Sequence, residues 1–238
     1  MTKLCLAALI SLLTFHLSAI AEEASSENIV EGNIGMYSQY IWRGKQESSN
    51  PLMMGELEAE LGAGFSANLE FASPLGNSPE GGSITEIDLG ITYAFVLDKL
   101  NIKVGYLHSA YINHAAVNTG EIVAGLDYGP LAITYYYAVF GGVNSWKKDQ
   151  YVDAQLSADA IGIHFKTNLG FYIPTTGSSK KTEFPTQKKE LGHVDFSASK
   201  TFQAGELSFS PSVMLSIPTY TNKPSNANQL VLGLSAQF

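Results

Sequence analysis

Cysteine is almost missing from this 238-residue chain; the single one, Cys5, sits in an N-terminal apolar run. No disulfide framework can hold the domain together, so its stability must come from another source. Cys5 also lies near the start of that apolar run, whereas a lipid-attachment cysteine belongs at its end. Positive charge is scarce: 14 Lys and Arg stand against 22 Asp and Glu, a net charge of −8. Nucleic acid is thereby disfavoured as a partner, because phosphate binding needs the opposite sign. After the first residues no stretch approaches 18 consecutive apolar positions, which leaves no transmembrane helix. Sustained 3.6-residue periodicity is missing as well. So are Gly-x-Ser-x-Gly, His-Glu-x-x-His and any cofactor fingerprint, and neither a cofactor nor an ordered metal site is expected.

The N-terminus has the anatomy of a secretory signal peptide. Lys3 supplies the positive region, Leu4 to about Leu13 the apolar one, and Ser18-Ala19-Ile20-Ala21 an A-x-A cleavage pattern. Residues 1–21 are therefore read as a removed leader, cleaved after Ala21, and 22–238 as one exported domain.

What that domain does contain is alternation. Ile87, Leu89, Ile91, Tyr93 and Phe95 interleave with Glu86, Asp88, Gly90, Thr92 and Ala94. Ile161 to Phe171 and Leu230 to Phe238 repeat the pattern. Successive side chains of a strand point to opposite faces, so each segment has one apolar and one polar face. About twelve such segments are read: 28–42, 51–61, 63–72, 83–96, 100–112, 118–127, 130–141, 150–158, 160–173, 191–202, 205–217 and 227–238. Most approach the roughly 9–11 residues a tilted strand needs to cross a bilayer. Tight connections at Gly62, 97–99, 128–129, 158–159 and Ala204 alternate with longer polar ones at 43–50, 73–82, 113–117, 142–149, 174–190 and 218–226. Short periplasmic turns and longer outside loops are the habit of outer-membrane barrels. An even strand count places both termini on the periplasmic side.

Three features favour a membrane barrel over a soluble one. The polar face is rich in carboxylates. Aromatic residues gather near strand ends, with Tyr93, Phe95, Tyr128 and Phe202 expected at one rim and Tyr40, Trp42, Tyr111, Tyr137 and Phe171 at the other. The chain ends on Phe238, in phase with its apolar face, and a terminal aromatic resembles the assembly signal of bacterial outer-membrane proteins. The fold expected is an all-β, transmembrane, antiparallel up-and-down β-barrel of about twelve strands. Hydrocarbon tolerates no unpaired strand edge, so the last strand must pair with the first.

Residues 38–61 read SQYIWRGKQESSNPLMMGELEAEL. Tyr40, Arg43, Gly44 and Pro51 carry a resemblance to the TorF-type porin family, also described as uncharacterised Gcw-type bacterial outer-membrane proteins. Gly62-Ala63-Gly64, Ser66 to Glu70 and the acidic strand from Glu86 fit the same pattern. Lys45 and Gln46 depart from it, since smaller apolar residues are usual after the Arg-Gly. The resemblance implies a barrel and a pore, with no catalytic residues.

With the apolar face toward lipid, the pore-lining residues are Glu56, Glu58, Glu60, Glu70, Glu86, Asp88, Glu121, Asp127, Asp153 and Asp195, against Arg43, Lys103, Lys166 and the titratable His164. A lumen lined mainly by one sign concentrates counter-ions, and carboxylate-lined pores favour cations. The function expected is passive diffusion of small solutes or ions, with cations preferred. A hydrogen-bonded plug is the competing reading of the same residues, because barrels of about 8 strands are filled and those of about 16–18 hold water. Arg43 either bridges lumen carboxylates as a constriction or snorkels from the rim to lipid phosphate. Two further functions stay open: a non-conducting receptor or structural barrel bound through outer loops, and a lipid-modifying hydrolase, for which His108, Ser109 and His114 are the candidates. Expected partners are outer-membrane lipid, the barrel-assembly machinery through the C-terminal strand, and small solutes or cations. Lipopolysaccharide is also included, through the lysines of 174–190, unless these only solvate a loop. A monomer is expected over a trimer.

Overall fold

The computed structural model describes residues 30–75, 86–112, 118–141, 148–173, 189–219 and 227–238. The expected leader 1–21 with its expected cleavage point, His114 and residues 174–188 lie outside these. In chain order the elements are β1 (Val30–Tyr37), β2 (Tyr40–Trp42), β3 (Lys45–Ser48), β4 (Leu52–Gly62), β5 (Phe65–Pro74), β6 (Glu86–Leu97), β7 (Leu100–Tyr111) and β8 (Thr119–Tyr128). They continue with β9 (Leu131–Gly141), β10 (Gln150–Ala160), β11 (Ile163–Ile173), β12 (Glu190–Ser199), β13 (Phe202–Ala204), β14 (Leu207–Pro218) and β15 (Gln229–Gln237).

Twelve of these form one closed antiparallel ring. Each strand pairs with its sequence neighbours, and the ring shuts where β1 meets β15 and β12 meets β14. Closure satisfies every ladder, which is what a hydrocarbon surrounding demands. At the seam β1 runs in register with β15 from Asn33↔Gln237 to Tyr37↔Gly233. Gly32 and Phe238 extend it by exchanging two backbone hydrogen bonds of 3.1 and 3.0 Å. Gly32 has no side chain because the Phe238 ring and Leu57 lie over it; a Cβ would stand 2.7 Å from the ring.

The faces are inverted relative to a soluble barrel. Leu57, Leu89, Ile91, Leu230, Leu232 and Leu234 are exposed on the outside, while Glu86 and Glu121 are buried within. The strand ends match the sequence reading to within a few residues, with four differences, one being that the segment 191–202 breaks at Lys200-Thr201, so that Phe202–Ala204 forms β13 against β14 and the turn expected at Ala204 falls at 205–206. The segment 28–42 breaks at Ser38-Gln39, and its second half leaves the ring to form β2, which pairs with β3 in a separate two-stranded sheet. Residues 43–50, expected as a plain loop, contain that second hairpin strand. The turn expected at 158–159 falls at Ile161-Gly162, where both residues take positive φ, 52° and 71°. A two-residue hairpin turn whose twist matches the flanking strands needs this backbone, and Gly162 supplies half of it without strain.

The aromatic girdles also need correction. Tyr128 and Phe202 are exposed at the short-turn rim as expected. Tyr40, Trp42 and Tyr111 are not lipid-facing at the other rim. The first and last donate hydrogen bonds to a lumen carboxylate, and Trp42 stacks on Arg43.

Candidate functional site

The β2–β3 hairpin folds into the mouth of the barrel at the long-loop end. Its turn is Arg43-Gly44, flanked by the pair Trp42↔Lys45. Both turn residues have positive φ, 48° and 75°. This backbone is routine for Gly but unusual for an Arg. Gly44 is required twice over, since a Cβ there would also run into the His193 side chain.

The turn delivers Arg43 into a cage built by three adjacent wall strands. Its guanidinium donates two hydrogen bonds to Glu121 of β8, at 3.0 and 2.7 Å. The rings of Trp42, Tyr136 of β9 and Tyr151 of β10 stand 4.5, 4.6 and 4.4 Å from its central carbon. The paired side chains are only 8% and 7% exposed. A bidentate carboxylate with stacked aromatic faces is the strongest common form of guanidinium recognition. Tyr172 of β11 donates its hydroxyl to the Arg43 carbonyl. Of the two roles open for Arg43, the geometry does not fit a rim residue reaching lipid, because the guanidinium is buried against Glu121 inside the ring.

Beside the hairpin lies the acidic wall. Glu56, Glu70 and Asp88 are directly opposite one another on β4, β5 and β6. Asn33 donates to Glu56 and Asn68 to Glu70, each at 2.9 Å. Tyr40 and Tyr111 hold the two oxygens of Glu86 at 2.8 and 2.7 Å. Asn33, Tyr37, Tyr40, Glu56, Glu70, Glu86 and Asp88 enclose a cavity of about 220 Å³. A wider one of about 460 Å³ follows toward the short-turn end, lined by Glu56, Glu58, Glu60, Asn68 and Lys103. Glu56 borders both.

The remaining expected residues are dispersed around the ring. Lys103 pairs with Asp127 at 2.7 Å, which also accepts from Asn101 at 3.2 Å. Asp153 accepts from Asn168 at 3.1 Å. Asp195 lies 3.0 Å from His193 Nδ1, and His193 Nε2 shares a 2.7 Å hydrogen bond with the Tyr151 hydroxyl. Lys166 is exposed, in register with Ser157 and Ser197. His164 is exposed near the short turn, 2.9 Å from Asp159, so it marks the rim and not the mid-lumen. Among the described residues no group of three or more His, Cys, Asp or Glu could hold a metal ion.

Sequence reasoning missed Tyr136, Tyr151, Tyr172 and His193. Strand phase carries the signal for three of them. Tyr151 is two residues from Asp153, Tyr172 four from Asn168 and His193 two from Asp195, so each shares a face with a polar lumen residue. The hydrolase candidates part company for the same reason. His108 lies between Tyr106 and Phe140 on the outer face, at ring distances of 6.5 and 6.1 Å. Its neighbour Ser109 is buried on the inner face.

A closed ring of twelve strands with an apolar exterior and a charged interior has known counterparts in shape. The fold is that of an outer-membrane β-barrel. The NanC porin matches over 88% of this chain and 99% of its own, at 12% identity and a TM-score of 0.55. The KdgM porin matches over 88% and 97%, at 8% identity and a TM-score of 0.50. The outer membrane phospholipase A from Escherichia coli matches over 92% and 96%, at 11% identity and a TM-score of 0.50. No protein-family model and no curated protein matches the sequence. At these identities the likeness is one of fold, and that fold serves porins and an enzyme alike.

Proposed function

We propose that this chain is a passive diffusion channel of the bacterial outer membrane whose lumen prefers small cations. The observation that carries the reading is the inward row Glu56, Glu70 and Asp88, three carboxylates side by side on adjacent strands. Like charges directly opposite one another destabilise a sheet. A lumen shaped only for stability would interleave them with bases, as the Lys103–Asp127 pair does elsewhere on the wall. One-signed lining instead raises the local concentration of counter-ions. The acids assigned to the pore remain the ten named from sequence, with Arg43 as its constriction and Lys103, Lys166 and His164 as minor basic members.

Supporting this reading, the Arg43-Gly44 element of the TorF-type resemblance is the part of the hairpin that enters the lumen. In the same reading residues 1–21 are removed on export, both termini are periplasmic, and the assembly machinery recognises the strand ending in Phe238. By analogy with other barrels of this size, the unit in this reading is a monomer. In the same reading lipopolysaccharide phosphates are partners for the lysines of 174–190.

Reversal potentials in planar bilayers under a KCl gradient test the proposal. Potassium preference over chloride is expected, and anion selectivity overturns it. The hairpin in the mouth favours a second reading, a barrel that conducts nothing and binds partners through its outer loops. If neither the intact protein nor a protein lacking the hairpin gives conductance steps, that second reading replaces the first.

A further inference from the structure

The wall of the barrel carries a site shaped for a guanidinium group, and the chain fills it with its own Arg43. We propose that Glu121, Tyr136 and Tyr151 form a binding site for guanidinium-bearing organic cations, with Arg43 as a built-in occupant that an external cation displaces.

The wall and its occupant are held in different ways. Glu121, Tyr136 and Tyr151 sit on three consecutive strands, β8 to β10, each paired with a neighbour on both sides, with a bulge between Gly120 and Glu121. Arg43 sits on a hairpin that pairs only with itself and shares no ladder with the ring. Side-chain contacts hold it in place: the fork to Glu121, the stacked rings and the hydroxyl of Tyr172. Its backbone takes a left-handed conformation that non-glycine residues rarely adopt. The wall is set by the ring, and its occupant comes from an element outside the ring's ladders, which is the arrangement competition requires.

The chemistry of the cage sets the ligand class. Both oxygens of Glu121 are engaged by one planar fork, at 3.0 and 2.7 Å. Two wall rings offer their faces at 4.6 and 4.4 Å from the guanidinium carbon. A compact ammonium can match the charge but neither the fork nor the stacking. With Arg43 withdrawn, a nearly buried carboxylate would be left without its counter-charge, and an incoming guanidinium restores it.

The test uses the full mature chain, refolded in detergent, and needs no conductance, so its failure is distinct from failure of the channel reading. The chain has two tryptophans, and Trp146→Phe leaves Trp42, which stacks on Arg43, as the only reporter. In that background the chain that keeps Arg43, Arg43→Ala and Arg43→Lys are each titrated with methylguanidinium chloride at non-denaturing millimolar concentrations. Potassium chloride and methylammonium chloride at equal ionic strength are the controls. A saturable change in Trp42 fluorescence is expected in all three, weakest where Arg43 competes, with methylguanidinium at least about tenfold tighter than methylammonium; no response in the chain that keeps Arg43 overturns the displacement. Adding Glu121→Gln should abolish it. Equal responses to the two organic cations, no saturable response, or a response that survives Glu121→Gln overturns the proposal. If Arg43→Ala does not refold, Arg43→Lys carries the same comparison, since it keeps the charge and loses the fork.

Discussion

At the scale of single residues the decisive pair is Arg43-Gly44. The guanidinium reaches Glu121 only because the turn holds both residues at positive φ. Glycine at the second position both accepts that backbone and makes room for His193. Gly44→Ala should cost about 1–2 kcal/mol for the left-handed conformation alone, with the Cβ contact against His193 added. Because the hairpin shares no ladder with the ring, the cost should fall on its docking and not on the barrel. Expected are an unchanged β-sheet circular dichroism spectrum and a larger single-channel conductance; an unchanged conductance would mean that the hairpin does not narrow the lumen. The strand face of each acid is legible one by one, since each lies out of phase with the apolar residues of its strand. The tyrosines were not. Tyr135, Tyr136 and Tyr137 are consecutive, so residue type carries no phase there, and only the central one turns to Arg43. Alternation leaves Arg43 between two roles, because its position depends on a chain break that alternation does not mark.

At the scale of elements, alternation recovers every strand of the ring, because each has one face in contact with an apolar surrounding and one that is not. It fails where that contrast ends. Residues 40–48 lie inside the mouth, with neither face toward lipid, so alternation places Tyr40 and Trp42 wrongly in a girdle. The turn at Ile161-Gly162 was misplaced because Ile161 continues the apolar phase of the strand that follows. The hairpin should also be dispensable for folding. β1 and β4 pair directly from Val30↔Ala59 to Tyr37↔Leu52, so the ladder does not need what lies between them. Replacing residues 39–49 by a short Gly-Ser linker, which behaves as flexible coil, should leave a heat-modifiable barrel with a higher and less gated conductance. Failure of this protein to refold, where the intact chain does refold, would show that the hairpin serves as a core for the barrel.

At the scale of the whole molecule, the property that no strand reveals alone is the clustering of acids on one wall. The excess of acid over base was visible in the composition. Which acids meet was not, because register between strands is set by turns and bulges that sequence places only to within a few residues. In the structure Glu70 has Glu56 on one side and Asp88 on the other, while Asn33 and Asn68 supply donors without positive charge. Each like-charged cross-strand contact costs about 0.2–1 kcal/mol. Stability and selectivity should therefore pull in opposite directions on this wall. Converting Glu56 and Glu70 to Gln and Asp88 to Asn relieves two such contacts and should stabilise the folded barrel by roughly 1 kcal/mol, read as a higher urea midpoint for unfolding in detergent. The same triple change should reduce the potassium-over-chloride preference in a salt gradient, with the larger loss at low ionic strength, where screening is weakest. Loss of stability together with unchanged selectivity would mean that the row serves the packing of the interior and that cations are chosen elsewhere. A gain in stability with reduced selectivity is the pattern expected when a fold retains an unfavourable arrangement for what it does to passing ions.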